Sequence, residues 1–356
     1  MAVPDSAARK TPVIEIEYGL AYEFLMTMIL VNEETSHDLE VGNEWFDNVR
    51  TKAGADLLAA MQMFYVDCNH GWKHLLGLVY ESEAPKDVAA LLATIEAIDP
   101  VELRLHLLGY YRKDFRKKIP LDIMLQAAEG NVEAQEQFIK MSFPDEGDWQ
   151  GMLRRLFTIS PEETKTFILD ILQRWYESVF QYYEPLLQPI LERDAAAKQA
   201  LKQNLTPERL IETATNGLAY VPEPGLRRVL LIPSYVNRPW NEISSYQDMM
   251  IFWYPVADEN VTEDSNSPPV RLVRLYKALA DERRLRILKM LMARSYSLQE
   301  LADEFGVAKT TMHYHLATLR TAGLVLITSN DKEYSLRRNM LSDVSSLLET
   351  YLKGKV

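Results

Sequence analysis

The side chains best suited to chemistry in this chain lie on one face of a short helical segment between Ala308 and Gly323. Thr310, His313 and Tyr314 share that face with the small Ala317, because positions three and four apart are neighbours on an α-helix. Hydroxyl and imidazole groups there can form hydrogen bonds with the edges of base pairs, and a DNA major groove is wide enough to admit a helix. The spacing therefore predicts a helix whose polar face contacts DNA.

Two short amphipathic helices within residues 297–323 are needed to hold this face, joined by a tight Gly306-Val307-Ala308 turn, and Gly323 supplies the stop of the second helix. Ser297 and Glu300 form a capping box at the start of the first helix. Each helix also has an apolar stripe that predicts its buried side. The stripes consist of Leu298, Leu301, Ala302 and Phe305 in the first helix and of Met312, Leu316 and Leu319 in the second. The pattern predicts a helix-turn-helix.

The segments on either side complete a larger unit. Before the helix-turn-helix, residues 281–294 predict a helix that Asp281 caps and whose leucines face inward. These inward positions are Leu285, Leu288 and Leu291. After it, two short β-favouring runs around a polar turn predict a hairpin, and a helix over residues 339–352 follows. The order helix, helix-turn-helix, hairpin and helix is that of a winged helix.

Three runs of sequence in this region resemble the ArsR family of bacterial winged-helix regulators, over about residues 272–352. They are L-A-D-E-R-R-L-R-I-L from Leu279, K-T-T-M-H-Y-H-L from Lys309 and L-R-T-A-G-L-V from Leu319. The resemblance implies a dimeric transcriptional regulator that binds a double-stranded DNA operator. Such a regulator is usually a repressor that a small signal releases from its operator.

The resemblance also implies DNA contacts at particular positions of this chain. The residues at these positions, on the second helix and at the tip of the wing, are Lys309, Thr310, Thr311, His313, Tyr314 and Lys332. One position departs from the family pattern, because Ala308 stands where the family often has a serine N-cap, so a weaker or replaced cap is expected. His315, two residues after His313, faces another side of the helix and is expected to pack inward.

Charge is distributed unevenly along the chain. Residues 270–356 hold 15 Lys and Arg against 9 Asp and Glu, a net charge of +6, whereas the remaining residues carry −18. The overall net charge of −12 and the pI near 5.1 conceal this difference. A basic unit on an acidic chain is what phosphate contacts require, so the charge distribution supports DNA binding by the C-terminal residues.

The remainder of the chain separates from this unit at an acidic, polar stretch, residues 258–269, which ends in two prolines. We interpret this stretch as a linker between a body, residues 1–257, and a winged-helix module, residues 270–356. The body is predicted to be mainly helical with a small antiparallel sheet, in which residues 227–232 and 249–255 pair as a hairpin that an N-terminal strand can join. The fold class is therefore mainly α.

Length and composition suit a cytoplasmic protein of two or three packed domains, and the resemblance implies a bacterial one. The chain has 356 residues, 47% of them hydrophobic, and one cysteine, Cys68, which excludes an intramolecular disulfide. The N-terminus lacks an apolar signal core, and the apolar run Leu20–Val31 is short and contains Glu23, so it predicts a core helix and no membrane partner. Further helices are predicted over residues 43–65, 72–80, 87–98, 101–112, 119–128, 132–140, 149–156 and 161–191.

A metal site in the body can be considered at Cys68, His70 and His74, which lie within seven residues. Three ligands interrupted by Gly71 are too few and too loosely spaced, so packing and surface roles are the favoured interpretation. The family's two known metal-sensing routes also lack their ligands here. The first helix of the helix-turn-helix has no cysteine pair, and residues 339–352 contain no histidine. We therefore predict no metal and no cofactor.

Aromatic side chains concentrate in two parts of the body. They are Trp175, Tyr176, Phe180, Tyr182 and Tyr183 in the first part and Tyr235, Trp240, Phe252, Trp253 and Tyr254 in the second. Such residues can line a cavity for an apolar or planar molecule, but they more often belong to a core, so no effector contact is assigned. The body is far larger than DNA binding or dimerisation needs, which favours a non-metal small-molecule effector there as a hypothesis.

Two alternatives for the body stay open, an enzyme and a protein-interaction domain, with the winged helix as a targeting or autoregulatory unit. The sequence has no glycine-rich phosphate loop, no G-x-S-x-G turn and no H-E-x-x-H, so no catalytic residue and no enzyme activity are predicted. A homodimer is expected from the apolar stripe of the last helix. That stripe consists of Leu341, Val344, Leu347, Leu348 and Tyr351.

Overall fold

Helices make up most of the protein. The computed structural model describes residues 12–31, 39–62, 70–142, 147–223, 225–261, 268–328 and 332–353. Within these residues the strands form two four-stranded sheets, and the C-terminal part folds as a winged helix. The predicted mainly α class and the C-terminal winged helix are therefore confirmed. No helix in the described ranges combines the length and the apolar character needed to span a bilayer.

The body is a long series of helices with strands near its beginning and end. Its helices are α1 (Leu20–Leu30), α2 (Gly42–Gln62), α3 (His70–His74), α4 (Leu76–Glu81), α5 (Val88–Ala97), α6 (Pro100–Leu107), α7 (Lys113–Arg116), α8 (Leu121–Glu129), α9 (Val132–Ser142), α10 (Gly147–Phe157), α11 (Pro161–Ser178), α12 (Glu184–Lys202) and α13 (Pro207–Ala214). Its strands are β1 (Val13–Ile16), β2 (Leu218–Ala219), β3 (Arg228–Ser234), β4 (Glu242–Tyr246) and β5 (Met249–Pro255).

Two of the predicted body helices are interrupted. The helix predicted over residues 161–191 ends at Ser178, and α12 begins at Glu184 after a short 3-10 turn. Pro185 then occupies the first turn of α12, where the missing N–H of proline costs no hydrogen bond. The helix predicted over residues 72–80 is divided into α3 and α4.

Helix α1 lies at the centre of the hydrophobic core of the body. Every side chain from Leu20 to Leu30 is buried, which distinguishes this helix from an amphipathic surface helix. Helices α3, α4, α5 and α12 and strand β3 pack against it. The apolar run near the N-terminus is therefore a core helix, as predicted.

The sheet of the body is mixed: its two apolar strands pair and the N-terminal strand joins them, but the predicted antiparallel hairpin was wrong, because the two strands run parallel. The strand order is β1-β3-β5-β4, with β1 and β5 both parallel to β3. The antiparallel partner of β5 is β4, which lies between the two strands that were predicted to form the hairpin, and Tyr246 pairs with Met249 across a two-residue turn. Since β4 runs back along the sheet before this turn, β5 points the same way as β3.

The winged-helix module has its own hydrophobic core. Its elements are α14 (Val270–Leu279), α15 (Glu282–Ala293), β6 (Tyr296–Ser297), α16 (Leu298–Phe305), α17 (Lys309–Thr321), β7 (Val325–Thr328), β8 (Glu333–Leu336) and α18 (Asn339–Leu352). The capping box of Ser297 and Glu300 is present, and the Asp281 carboxylate accepts a hydrogen bond from the Arg284 backbone N–H at the start of α15. These local predictions are confirmed.

One predicted core position of α15 was wrong, because Leu285 is 50% exposed. The buried residues of this helix are Ile287, Leu288 and Leu291, which form a compact stripe at about 100° per residue. Leu285 lies roughly 110° around the helix from the middle of that stripe. Residues spaced by three positions rotate steadily around a helix of 3.6 residues per turn, so Leu285 leaves the buried side. Ile287 is buried in its place.

The body supplies an edge strand to the sheet of the winged-helix module. That sheet has the order β2-β7-β8-β6, and β2 runs parallel to β7. The Ile327 backbone N–H donates to the Gly217 carbonyl at 3.1 Å. The Asn216 side-chain amide donates to the Thr321 carbonyl at the end of α17, at 3.1 Å. The two parts of the chain are therefore joined by backbone pairing as well as by the predicted linker, whose residues 262–267 lie outside the described ranges.

Charged side chains also cross this contact. Arg337, which follows β8, donates to Glu212 of α13 at 3.0 Å, and both side chains are largely buried. Arg274 of α14 forms an ion pair with Glu40 of the body. Glu40 also lies 3.0 Å from Arg238, so its carboxylate forms ion pairs with one arginine of the body and one of the winged-helix module.

A glycine shows how closely the two parts approach. Gly323 has φ of +72°, and a Cβ placed there would lie 2.6 Å from the Asn216 Oδ1 atom. Gly306 has a similar φ of +61°, but a Cβ there would meet nothing within 4 Å. The two glycines therefore share a backbone requirement and differ in steric surroundings.

We expect Gly323→Ala to destabilise the protein more than Gly306→Ala. The left-handed backbone should cost each variant about 1 kcal/mol, and the clash with Asn216 should add about 1 kcal/mol at Gly323. Urea denaturation of the two variants measures the difference directly, with Gly306→Ala as the matched control. Equal losses of stability would show that Asn216 moves away freely and that this approach is loose.

Candidate nucleic-acid interface

Helix α17 separates an apolar side from a polar one. Met312, Leu316 and Leu319 are fully buried in the core of the module, against α16 and the neighbouring helices. Thr310 and His313 lie on the exposed side. Gly306 ends α16 in the left-handed conformation, so the chain turns sharply before α17 begins. The polar side of α17 therefore faces solvent, while α16 packs against its apolar side.

The predicted DNA-contacting residues lie where a partner can reach them. Five are exposed and Thr311 is half-buried; the exposed ones are Lys309, Thr310, His313, Tyr314 and Lys332. Tyr314 is 60% exposed, an unusual position for a large aromatic side chain on a folded protein. The structure thus gathers the five α17 residues on one helix, while their contact with DNA stays a prediction.

The start of α17 has no side-chain cap. Ala308 adopts the extended conformation of an N-cap, with φ of −62° and ψ of 148°, and no side chain among the described residues accepts from the first turn there. The backbone N–H groups of this turn therefore keep their capacity to donate to an anion, and the helix dipole favours negative charge at this end. Because Ala308 has no side-chain oxygen, these N–H groups lack the acceptor that a serine hydroxyl would supply.

His315 is buried, as predicted, and helps to fix the inner side of α17. Its Nδ1 atom lies 4.0 Å from the Asp281 carboxylate, which caps α15. Burial lowers the pKa of His315, although Asp281 opposes the shift. The imidazole is therefore neutral at neutral pH, and His313 is the histidine of this helix that faces outward.

The wing carries one of the predicted contacts. Strands β7 and β8 pair antiparallel, and the Lys332 backbone N–H donates to the Thr328 carbonyl at 3.2 Å to close the hairpin. Lys332 is exposed and has φ of +50°. Residues 329–331 at the tip lie outside the described ranges.

Part of the positive charge of the module faces the body instead of solvent. Arg274 and Arg337 form ion pairs with body carboxylates, and the Arg320 guanidinium lies 4.9 Å from the centre of the Trp240 ring. Arg271 lines a cavity at the same contact. The net charge of +6 therefore overstates what is available for phosphate, and the exposed lysines and arginines of α15, α17 and the wing are the ones that matter.

The body residues considered for metal or effector binding have mostly structural positions. Both ring nitrogens of His74 have partners, the Leu107 carbonyl at 2.6 Å and the Arg112 guanidinium at 3.0 Å. Cys68 lies outside the described ranges. Of the aromatic residues, Trp175, Phe180, Phe252, Trp253 and Tyr254 are buried in the cores, whereas Tyr182 is largely exposed. The aromatic clusters are therefore mainly core.

Sequence reasoning missed the residues that dock the module on the body. Asn216 is the clearest example, because its side chain contacts both Thr321 and Arg337. The Asn-Gly pair at 216–217 is a turn signal, and the short apolar run that follows it is β2. That signal predicts a turn and a strand, but it does not reveal that the strand pairs with the wing.

Comparisons with known proteins agree with this geometry. Residues 281–326, from the cap of α15 into β7, match the model of a family described as bacterial regulatory protein, arsR family. An uncharacterized HTH-type transcriptional regulator, YceK of Bacillus subtilis (strain 168), is 36% identical over 85 residues, which cover 23% of this chain and 78% of that protein. No solved structure matches the chain.

A second relative matches a shorter stretch of this chain. The transcriptional activator HlyU of Vibrio cholerae serotype O1 (strain ATCC 39315 / El Tor Inaba N16961) is 44% identical over 55 residues, which cover 15% of this chain and 51% of that protein. Both similarities fall in the C-terminal region. They concern the winged-helix module and carry no information about the body.

Proposed function

The chain belongs, through its winged-helix module, to the arsR family of bacterial regulatory proteins, and we propose that it is a homodimeric repressor whose operator affinity is modulated through the body. As a member of this family it is a DNA-binding transcriptional regulator. The observation that carries the proposal is the exposed polar face of α17 above a fully buried apolar face. We further propose that it acts in the cytoplasm and has no enzyme activity.

In this proposal α17 lies in the major groove of the operator. His313 and Tyr314 contact base edges, while Lys309 and the first-turn N–H groups bind phosphates. Thr310 and Thr311 supply further hydroxyl donors beside them. Lys332 on the wing contacts the neighbouring DNA backbone. Each contact uses a group that the structure leaves accessible.

Exposed apolar residues support a homodimer. Helix α14 packs against α18, yet Val273 and Tyr276 of α14 and Leu352 of α18 remain exposed. An apolar surface on paired helices suits contact with a second copy. Two copies would place their recognition helices about 34–36 Å apart, in successive major grooves of a pseudo-palindromic operator.

Regulation by a non-metal small molecule requires only a modest energy difference. An effector that favours one arrangement of body and module by about 1–3 kcal/mol would change operator affinity by about 5- to 150-fold. The shared sheet and the ion pairs between the two parts give such an arrangement a physical basis.

The name of HlyU says activator, so a reporter gene behind the operator is needed to test repression. Higher expression after deletion of this protein supports repression, and lower expression contradicts it.

We expect Tyr314→Ala to weaken specific DNA binding by about 5- to 30-fold, since a good base contact contributes about 1–2 kcal/mol. The affinity for scrambled DNA should change little, because Tyr314 carries no charge. Fluorescence anisotropy with the protein's own upstream DNA, against scrambled DNA at two salt concentrations, measures both affinities. His313→Ala should behave in the same way.

Tyr182→Ala is the matched control for this experiment. Tyr182 is 62% exposed, close to the value for Tyr314, but it lies on the body. Its replacement should leave operator affinity unchanged. If Tyr314→Ala and Tyr182→Ala bind the operator equally well, α17 is not the recognition helix.

A further inference from the structure

A cavity of about 170 Å³ lies at the contact between the body and the winged-helix module. Helices α12 and α13 and the turn after β5 form the wall on the body side, and α14, the end of α17 and Arg337 form the opposite wall. Its size is comparable with that of a cavity of about 150 Å³ that holds one benzene ring. A ligand of similarly small size would touch both parts of the protein at once.

Cationic side chains outnumber carboxylates in the lining of this cavity. Two carboxylates, Asp258 and Glu259, contribute to the lining. The lining also includes five cationic side chains, which are Lys198, Arg238, Arg271, Arg274 and Arg337. Polar and charged walls distinguish this cavity from the aromatic-lined effector cavity that the composition of the body suggested.

Most of these cations already have a carboxylate partner. Arg238 and Arg274 share Glu40 and Asp258, and Arg238 forms its closest contact with Asp258. Beside them, the Lys198 ammonium lies 3.2 Å from the Asp194 carboxylate.

Arg271 is different from the other cations. Its guanidinium contacts the Met340 sulfur at 3.4 Å, and no carboxylate in the described part of the chain lies within ion-pair distance of it. It also lies close enough to Arg337 to oppose protonation of that side chain. The pKa of Arg337 is lowered first by burial and further by Arg271, while Glu212 raises it. Among the described residues, the Arg271 guanidinium therefore has no carboxylate within ion-pair distance, and it lies beside a second, buried guanidinium, that of Arg337.

We propose that this cavity binds a small oxyanion, a phosphate or a short dicarboxylate, between Arg271 and Arg337. Guanidinium groups donate two parallel hydrogen bonds to such anions, and a negative charge between the two arginines replaces repulsion with attraction. The Arg271 guanidinium is the principal donor, because each of the other cations already forms an ion pair with a carboxylate.

The same site can transmit binding to the recognition helix. Thr321 and Ala322 at the C-terminal end of α17 line the cavity, and the Thr321 carbonyl accepts from Asn216 of the body. An anion held by Arg271 and Arg337 would therefore set the position of the end of α17 relative to α12 and α13. This consequence rests on the proposed DNA-binding function, whereas anion binding itself does not.

Thermal unfolding of the full-length protein tests the site with inorganic phosphate and with succinate as probes. Potassium chloride at matched ionic strength corrects for salt effects. We expect at least one probe to raise Tm in a saturable manner. In Arg271→Met, the Kd for that probe should be about tenfold higher or more. A response to phosphate alone assigns a phosphate ligand, and a response to succinate alone assigns a dicarboxylate. Absence of any rise beyond that in chloride would overturn the proposal.

Lys277→Met is the control variant. Lys277 is an exposed residue of the same helix, α14, and its replacement removes the same charge without touching the cavity. It should retain the full response to the probe. An equal loss of binding in Lys277→Met and Arg271→Met would show a general charge effect and would also overturn the proposed site.

Operator binding separates this proposal from the proposed function. The anisotropy assay is repeated with and without the active probe, for the parent protein and for Arg271→Met. We expect the probe to change operator affinity by about 5-fold or more in the parent only. Specific DNA binding without any Tm response contradicts the anion site alone. A Tm response lost in Arg271→Met, without specific DNA binding, contradicts the proposed function alone.

Discussion

Arg337→Met should cost the docked arrangement of body and module about 3 kcal/mol, whereas Arg209→Met should cost less than about 1 kcal/mol. Both arginines bind the same carboxylate, Glu212, at 3.0 Å and 2.8 Å respectively. Their surroundings differ, because the Arg337 side chain is 9% exposed and the Arg209 side chain is 56% exposed. An ion pair in water contributes little, whereas removal of Arg337 leaves the largely buried Glu212 carboxylate with only the solvent-exposed Arg209 as its partner.

Hydrogen exchange measures this difference at the contact itself. The Ile327 backbone N–H donates to the Gly217 carbonyl, so it exchanges when β2 and β7 separate. A loss of about 3 kcal/mol corresponds to roughly 100-fold faster exchange of this amide. Amides of Leu316 and Leu319 in the core of α17 should keep their protection, which shows that the module stays folded.

The comparison of the two arginines is a sharp test because the carboxylate is the same in both. Equal acceleration of exchange in Arg209→Met and Arg337→Met would mean that the Glu212 carboxylate is effectively solvated. Loss of protection throughout α17 would mean that Arg337 stabilises the module itself. Only selective opening at Ile327 supports the role of Arg337 in holding the module on the body.

Local features of the winged helix were predictable from the sequence. The capping box of Ser297 and Glu300, the turn at Gly306 and the inward side of α17 each depend on residues within one or two turns of each other. Side-chain spacing and capping chemistry act over that range, so the sequence contains the whole signal. The exposure of Tyr314 follows from the same spacing.

Contacts between distant parts of the chain were not predictable in this way. Strands β3 and β5 are apolar and similar, and nothing in their own residues indicates that they run parallel. The pairing of β2 with β7 brings together residues more than 100 positions apart. Such choices depend on how whole elements pack, which one sequence without relatives does not reveal. The charges of Arg274 and Arg337 were counted toward DNA for the same reason.

These docking contacts place the recognition helix under the influence of the body. The end of α17 contacts Asn216, Arg274 approaches the Thr321 carbonyl at 3.4 Å, and Gly323 leaves no space for a side chain. A change of shape in the body would therefore reach α17 through a few short contacts. This is the physical reason to look for regulation at the contact and not in the aromatic core.

The stability of the body should depend on pH through the buried carboxyl group of Glu23. This side chain of α1 is fully buried, and its Oε1 atom accepts hydrogen bonds from the backbone N–H groups of Tyr235 and Val236 at 2.8 Å and 2.7 Å. Burial raises its pKa from 4.5 to about 7, although these donors and the Ser234 hydroxyl oppose the shift. The folded protein therefore holds this proton more tightly than the unfolded chain does.

The direction of the pH effect follows from this difference in proton binding. The stabilising contribution is complete below pH 4.5, falls as the pH rises toward about 7, and is absent above that pH. The total loss corresponds to about 3 kcal/mol. Glu23→Gln keeps an oxygen for the two backbone donors and has no charge, so this contribution should not change with pH in the variant.

The quantity to measure is the free energy of unfolding of Glu23→Gln minus that of the parent, by urea denaturation at pH 5 and at pH 8. We expect this difference to shift in favour of the variant by about 2.5 kcal/mol between the two pH values, because a small part of the contribution is already lost at pH 5. Glu96→Gln, at an exposed position of α5, is the control and should show a shift of less than about 0.5 kcal/mol. Tyr235 and Val236 begin the segment that carries Arg238 and Trp240 to the winged-helix module, so a pH-dependent body would act on the docking contact as well. If the two variants respond equally, the Glu23 carboxylate is stabilised by its backbone donors and the body lacks this pH dependence.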